Sequence, residues 1–231
     1  LDALGNPQKN YKKIQVAGTN GKGSVCVFLN SICVNAGIKT GLYTSPHLIS
    51  ITERIKIDGT DISEDEFAHL ATVVREIAER LLASSELLYR PTFFEQVTAI
   101  ALLAFADERV ELAILETGLG GRFDAVTAAN AEIAAITRID LDHQEYLGET
   151  LAEIAAEKAA IIRADSKVVL THHTRSVEQV LIGRCREVDV DPFWVTEDIE
   201  IKDEPVLLPV LSGSIKTPKA FYGNLEFYNM L

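Results

Sequence analysis

Residues 18–24 read Gly-Thr-Asn-Gly-Lys-Gly-Ser, directly after an apolar strand signal at Lys13–Ala17 and directly before an apolar run from Val25 to Ala36. Strand, glycine-rich turn and helix in that order bring main-chain N–H groups and a helix amino end around a phosphate. Gly18, Thr19, Asn20, Gly21, Lys22, Gly23 and Ser24 are therefore expected to wrap an anionic triphosphate, with the Lys22 ammonium on its terminal phosphates. A strict P-loop carries a glycine five residues before the Gly-Lys pair and a hydroxyl residue after the lysine. Here those positions hold Val16 and Gly23. The hydroxyl that would hold Mg²⁺ must come from Ser24 or from elsewhere in the chain.

Other chemistry-bearing residues follow strands too. Glu116 ends the unbroken apolar stretch Leu112–Leu115 and precedes the turn Gly118-Leu119-Gly120-Gly121, so its carboxylate can face a ligand crevice as a hard oxygen donor for Mg²⁺. An acidic loop carrying Asp140, Asp142 and His143 follows the strand signal at Ile133–Thr137. Lys158 lies on a predicted helix from Thr150 to Ile162, where Ile154, Ala155, Ile161 and Ile162 recur at helical spacing. Taken alone, it reads as a snorkelling surface lysine.

These residues need a scaffold whose strand ends converge. Strands at 13–17, 40–44, 112–115, 133–137, 167–170 and 188–195 alternate with helices at 25–36, 63–83, 93–106, 150–162 and 176–185. Unbroken apolar strands suit a sheet covered on both faces, and the alternation predicts an α/β fold with a doubly wound, mainly parallel sheet that binds ligands beyond the strands' carboxyl ends. Between the second strand and the capping signal at Ser63 runs a long segment with turn signals, read as a functional loop. From residue 196 to 231 the pattern shortens to hairpin-like stretches, and a new helix is expected after Gly223. The chain is read as one ATP-binding domain, 1–231, incomplete at its C-terminal end.

Net charge is −12, which disfavours a broad nucleic-acid surface. Without an apolar run near 18 residues, no membrane helix is expected, and the opening LDALGNPQKNYKK lacks a secretory pattern. A cytoplasmic monomer is the expectation. Cys26, Cys33 and Cys185 form no C-x-x-C pair and are read as buried free thiols.

The runs A-G-T-N-G-K-G-S, Y-T-S-P-H-L, E-T-G-L-G-G-R-F-D, L-D-H and E-K-A-A-I-I together resemble folylpolyglutamate synthase and dihydrofolate synthase of the Mur ligase superfamily. The resemblance runs from Leu4 to about Arg163. It implies a central ATPase domain whose partner C-terminal domain is missing from this chain. ATP and two Mg²⁺ ions are the implied cofactors; Ser45, Glu116, His143 and a carbamylated Lys158 are the implied metal ligands. With Lys22, the last three form the implied catalytic set. It further implies that a folate or dihydropteroate carboxylate attacks the γ-phosphate of ATP and that the amine of L-glutamate displaces phosphate from the acyl phosphate. Phe93, Phe94, Glu95 and Asp124 match positions around the pterin, and the loop through Glu53 and Arg54 matches a loop near the folate. Gln15 and Ala160 depart from the family's usual histidine and glycine. Two alternatives stay open: another Mur-type amino-acid ligase, or a nucleotide-binding module without activity of its own.

Overall fold

The computed structural model describes residues 1–195 and the backbone of 207–211 and 213–216. Its elements are β1 (Lys12–Ala17), α1 (Lys22–Asn35), β2 (Thr40–Tyr43), β3 (Ile55–Ile57), β4 (Thr60–Asp61), α2 (Glu64–Ala83) and α3 (Phe93–Asp107). There follow β5 (Leu112–Glu116), β6 (Ile133–Ile136), α4 (Gln144–Leu147), α5 (Leu151–Ala159), β7 (Lys167–Leu170), α6 (Arg175–Glu187) and β8 (Pro192–Trp194). A separate antiparallel pair joins β9 (Leu207–Leu211) to β10 (Gly213–Lys216), a hairpin of the expected kind. The helix expected after Gly223 lies outside the described residues.

The main sheet runs β4-β3-β2-β5-β1-β6-β7-β8. From β2 to β8 every pairing is parallel, as the alternation of elements requires. β5 is buried along its whole length and its side chains serve two layers. Leu112 and Ile114 pack with Val25, Cys26, Leu29 and Ile32 of α1, while Ala113 and Leu115 face Ala101 and Phe105 of α3. Farther along that second face, Ala134, Ile136, Val168 and Leu170 pack on α5 and α6. Burying each of these larger aliphatic side chains contributes about 1.5–3 kcal/mol, which makes the sheet a stiff platform for the loops at its carboxyl edge. All three cysteines are buried free thiols. Among the described residues no helix is long and apolar enough to cross a membrane.

Capping fixes where the site's helices start. Thr92 with Glu95, and Thr150 with Glu153, form reciprocal boxes in which each side chain takes the other's backbone N–H. Ser63 Oγ accepts the Glu66 N–H at 3.1 Å. α5 stops at Ala159, short of the expected Ile162, because the last turn tightens: Ile161 and Ile162 donate three residues back, to Lys158 and Ala159.

The segment read as one long loop differs from expectation. It holds the 3₁₀ turn Ile51–Arg54 and then the β3–β4 hairpin, which extends the sheet antiparallel beside β2. Asp58 and Gly59 form its two-residue turn, both at positive φ, and Asp58 Oδ1 accepts the Thr40 N–H at 2.9 Å.

Candidate active site at the carboxyl edge of the sheet

β1 delivers the chain to Gly18 at φ 149°, buried where a Cβ would lie 1.9 Å from Thr137 Oγ1. That hydroxyl is committed: it donates toward Asn20 O at 2.8 Å and Ala17 O at 3.2 Å. The N–H groups of Thr19 and Asn20 both donate to Arg138 O, at 2.7 and 3.2 Å, and Thr19 Oγ1 exchanges hydrogen bonds with the backbone of Asp140 at 3.0 and 3.1 Å. The first half of the glycine loop is thus stitched to the segment after β6. Of the Gly18–Ser24 stretch expected to wrap a phosphate, the Thr19 and Asn20 amides are committed to the protein's own backbone, and Gly21–Ser24 lie at the start of α1. There α1 begins on Gly21 at φ 86° with no side-chain cap, leaving the positive end of a 14-residue helix facing outward. Lys22 folds over this end, donating to Thr19 O at 3.1 Å, and Ser24 is exposed.

Gly18→Ala forces Thr137 to abandon its two acceptors and still leaves the new methyl near the Thr137 backbone. Overpacking and the positive φ together should cost about 2–4 kcal/mol, a melting temperature lower by roughly 5–15 °C. Thermal unfolding followed by circular dichroism measures it, and an unchanged midpoint would contradict this packing.

Glu116, the last residue of β5, is buried and points at the glycine loop. A Cβ on Gly23 would stand 3.3 Å from Glu116 Oε1. The carboxylate therefore occupies the space where a serine or threonine after the lysine would put its side chain. From across the crevice Ser45, just past β2, donates its N–H to Glu116 Oε2 at 2.9 Å, which brings the residue expected to supply the missing hydroxyl next to the carboxylate. Burial raises the Glu116 pKa; the Ser45 N–H and the charges of Lys22 and Arg54 oppose that shift.

Lys158 is no snorkelling surface residue. It is 4% exposed and its amine donates to Gly18 O at 2.8 Å, at the root of the glycine loop. Burial first, then the Lys22 charge, lower its pKa to about 8, against the pull of Asp142 and Asp124. Its neighbour Ala160 adopts right-handed helical geometry, which a methyl tolerates as well as glycine does. His143 sits exposed at φ 47° at the start of α4, its Nε2 3.6 Å from Asp142 Oδ2. Among the described residues no three His, Cys, Asp or Glu side chains converge on one point. Glu116, Ser45, Lys22 and Lys158 thus surround the glycine loop, whereas His143 stands on the loop stitched to it.

Beside this cluster opens a cleft of about 650 Å³, lined by Ser45, Arg54, Phe94, Gly118, Asp124 and Tyr146 among others. Asp124 is structural as well as cleft-lining: its carboxylate accepts the N–H groups of Leu119 and Val126 at 2.8 and 2.9 Å and so shapes the second glycine turn. Burial raises its pKa. Gln15 Nε2 donates to Thr117 and Thr127 hydroxyls at 3.1 and 2.8 Å, a brace beneath the turn. Phe94 half-buries against Gly118, Phe93 is exposed, and Glu95 closes the α3 cap at Thr92 N–H, 2.6 Å. Thr137 is a site residue that reading the sequence did not single out, and Arg54 enters that reading only within the loop matched to one near the folate.

Comparison with known proteins yields the following. The family model described as the Mur ligase middle domain matches residues 16–187. Over 225 residues the chain is 42% identical to a dihydrofolate synthase/folylpolyglutamate synthase of Bacillus subtilis, covering 96% of this chain and 52% of that protein. It is 41% identical over 180 residues to a folylpolyglutamate synthase of Arabidopsis thaliana, covering 77% of this chain and 31% of that one. Among solved structures, Mycobacterium tuberculosis folylpolyglutamate synthase complexed with ADP and AMPPCP superposes with a TM-score of 0.79 at 38% identity, over 84% of this chain and 45% of the other. E. coli FolC in complex with DHPP and ADP gives 0.75 at 30% identity, over 94% of this chain and 50% of that chain. The chain spans from a third to about half the length of these relatives.

Proposed function

The chain belongs to the Mur ligase family by its middle domain, and from that premise we propose that it is the nucleotide-binding part of an ATP-dependent ligase joining L-glutamate to a folate or dihydropteroate. The observation that carries this reading is the buried Glu116 carboxylate packed on Gly23 between Lys22 and the Ser45 backbone. It is a preformed anionic pole next to an uncapped helix end. Such a pair suits a metal-bound triphosphate. Relatives solved with ADP, AMPPCP and folate or DHPP agree with it. Residues 196–231 are assigned to the same domain.

The chemistry of the donors near the glycine loop suits Mg²⁺, which prefers oxygen: Ser45 and Glu116 would hold it there, and His143 with an oxygen carried by Lys158 would serve a second ion if their loop and helix bring them to it. Bound there, the ions would neutralise charge on the transferred phosphoryl group. Lys158 can carry an oxygen only as a carbamate. A pKa of about 8 leaves a substantial neutral fraction near neutral pH, and the neutral amine is the form that adds CO₂. One N–H survives that addition and can keep the bond to Gly18 O. Lys22 and the amides of Gly21–Ser24 would orient the γ-phosphate toward the cleft, where the acid substrate's carboxylate attacks it and ADP leaves. The glutamate amine then displaces phosphate, forming the amide.

The test is ADP release by the full-length protein supplied with ATP, Mg²⁺, L-glutamate and, in turn, dihydropteroate, tetrahydrofolate and a muramyl acid. Release should require a pteridine acid together with glutamate. Turnover with the muramyl acid alone would move the protein to another branch of the family.

A further inference from the structure

Arg54 ends the 3₁₀ turn Ile51–Arg54 and is 7% exposed. Its Nε donates to His47 Nδ1 at 2.8 Å, and its Cζ lies 5.6 Å from the centre of the Phe93 ring. Among the described residues Arg54 forms no ion pair with any carboxylate. Its charge acts on the buried Glu116 and its side chain bonds the Tyr43 hydroxyl, so the guanidinium sits at the Glu116 end of the cleft without a contact ion pair, a costly state that an arriving anion relieves. Arg54 is also the single cationic side chain among those lining the 650 Å³ cleft, whose other charged groups are Glu95, Asp124 and Glu157. An anionic group entering that cleft is attracted at the end where Arg54 and Ser45 both neighbour Glu116, while Glu95 and Asp124 are acidic and Glu157 is paired with Arg122. That end adjoins Glu116, through the Ser45 N–H.

We propose that Arg54 binds the reacting carboxylate of the acid substrate and keeps hold of the acyl phosphate formed from it, an assignment that rests on the ligase reading above. Its fork of N–H donors matches a carboxylate in two-point geometry, which a lysine cannot reproduce. In the step it serves, a carboxylate oxygen forms a bond to the γ-phosphorus while the bond from that phosphorus to the β,γ-bridging oxygen breaks, and ADP departs with the electron pair. No proton moves, because the nucleophile is already ionised. The fixed guanidinium charge offsets the negative charge of the incoming acid beside the triphosphate, a repulsion that would otherwise hold the two reactants apart. His47 and Phe93 are positioning residues that keep the fork aimed along the cleft.

The experiment measures equilibrium binding, to the full-length protein with AMPPCP present, of the pteridine acid that supports turnover and of the same molecule with its carboxylate replaced by a carboxamide. Wild type should favour the acid by about 30-fold, the size expected for a charge-assisted two-point contact. Arg54→Met should bring the two ligands within about threefold of each other and leave AMPPCP affinity unchanged. Arg54→Met that still discriminates, or that loses AMPPCP affinity as steeply as acid affinity, overturns the proposal; the latter outcome would make Arg54 a nucleotide contact. Should Arg54→Met melt early, Arg54→Lys decides: discrimination reduced at least fivefold supports the two-point contact, and wild-type discrimination refutes it. A wild type that turns over no pteridine acid sinks the ligase reading itself, which is a separate and earlier result.

Discussion

Lys22→Ala is expected to cut ATP turnover by about 10²–10³-fold or more while leaving the protein folded. The first half follows from where the amine stands, over the uncapped end of α1 and near Glu116, whose pKa it lowers. Removing one preorganised donor from developing transition-state charge typically costs that much. The second half follows from what the amine holds. Its hydrogen bond to Thr19 O, on a half-buried side chain, stabilises the fold by about 0.5–1.5 kcal/mol at most. ADP release and thermal unfolding, measured on the same preparation, separate the two. Undiminished turnover would remove Lys22 from the chemistry, and loss of the fold would make it a structural residue.

Enzyme stripped of CO₂ should lose activity by about 10²-fold and regain it on addition of bicarbonate, with Lys158→Met equally inactive and indifferent to bicarbonate. The pH dependence of that recovery is specific to the geometry. Only the neutral amine attacks CO₂, and burial together with the Lys22 charge lowers the Lys158 pKa from 10.5 to about 8. Protonated amine dominates below that value and neutral amine above it. At constant dissolved CO₂ the reactivation rate should therefore climb as pH rises through about 8 and then level. Recovery that keeps climbing past pH 9 would describe an ordinary exposed lysine, and activity independent of CO₂ would dismiss the carbamate.

The parallel sheet and the strand-to-loop placement of Lys22 and Glu116 were legible because they rest on local signals: unbroken apolar strands, glycine clusters and helix-length periodicity. β3 and β4 were not, since three and two residues are too short to show a period, although Asp58-Gly59 carried a hairpin signal inside the presumed loop. Lys158 shows the limit of periodicity more sharply. Its helix position suits a snorkelling stem, and only the fold reveals that this stem runs inward to Gly18 O, 140 residues away in sequence. The metal role proposed for it rests on resemblance and not on spacing. The commitment of the Thr19 and Asn20 amides to Arg138 was equally hidden, because it depends on β1 and β6 being neighbours. Arg54 stayed unassigned for the same kind of reason: arginine is an exposed residue by default, and its burial depends on His47, Phe93 and Tyr43 closing around it.

The β3–β4 hairpin also decides how the sheet ends on that side. A bare β2 would present a flat row of unpaired amides and carbonyls from buried, mostly apolar residues, a template for stray chains to add to. The outermost strand is instead two exposed residues, Thr60 and Asp61, with Asp61 paired to Lys56 of the adjoining strand. So short and so charged a border offers almost no ladder for another molecule to extend, and this flank of the protein is thereby protected against fibrous self-association.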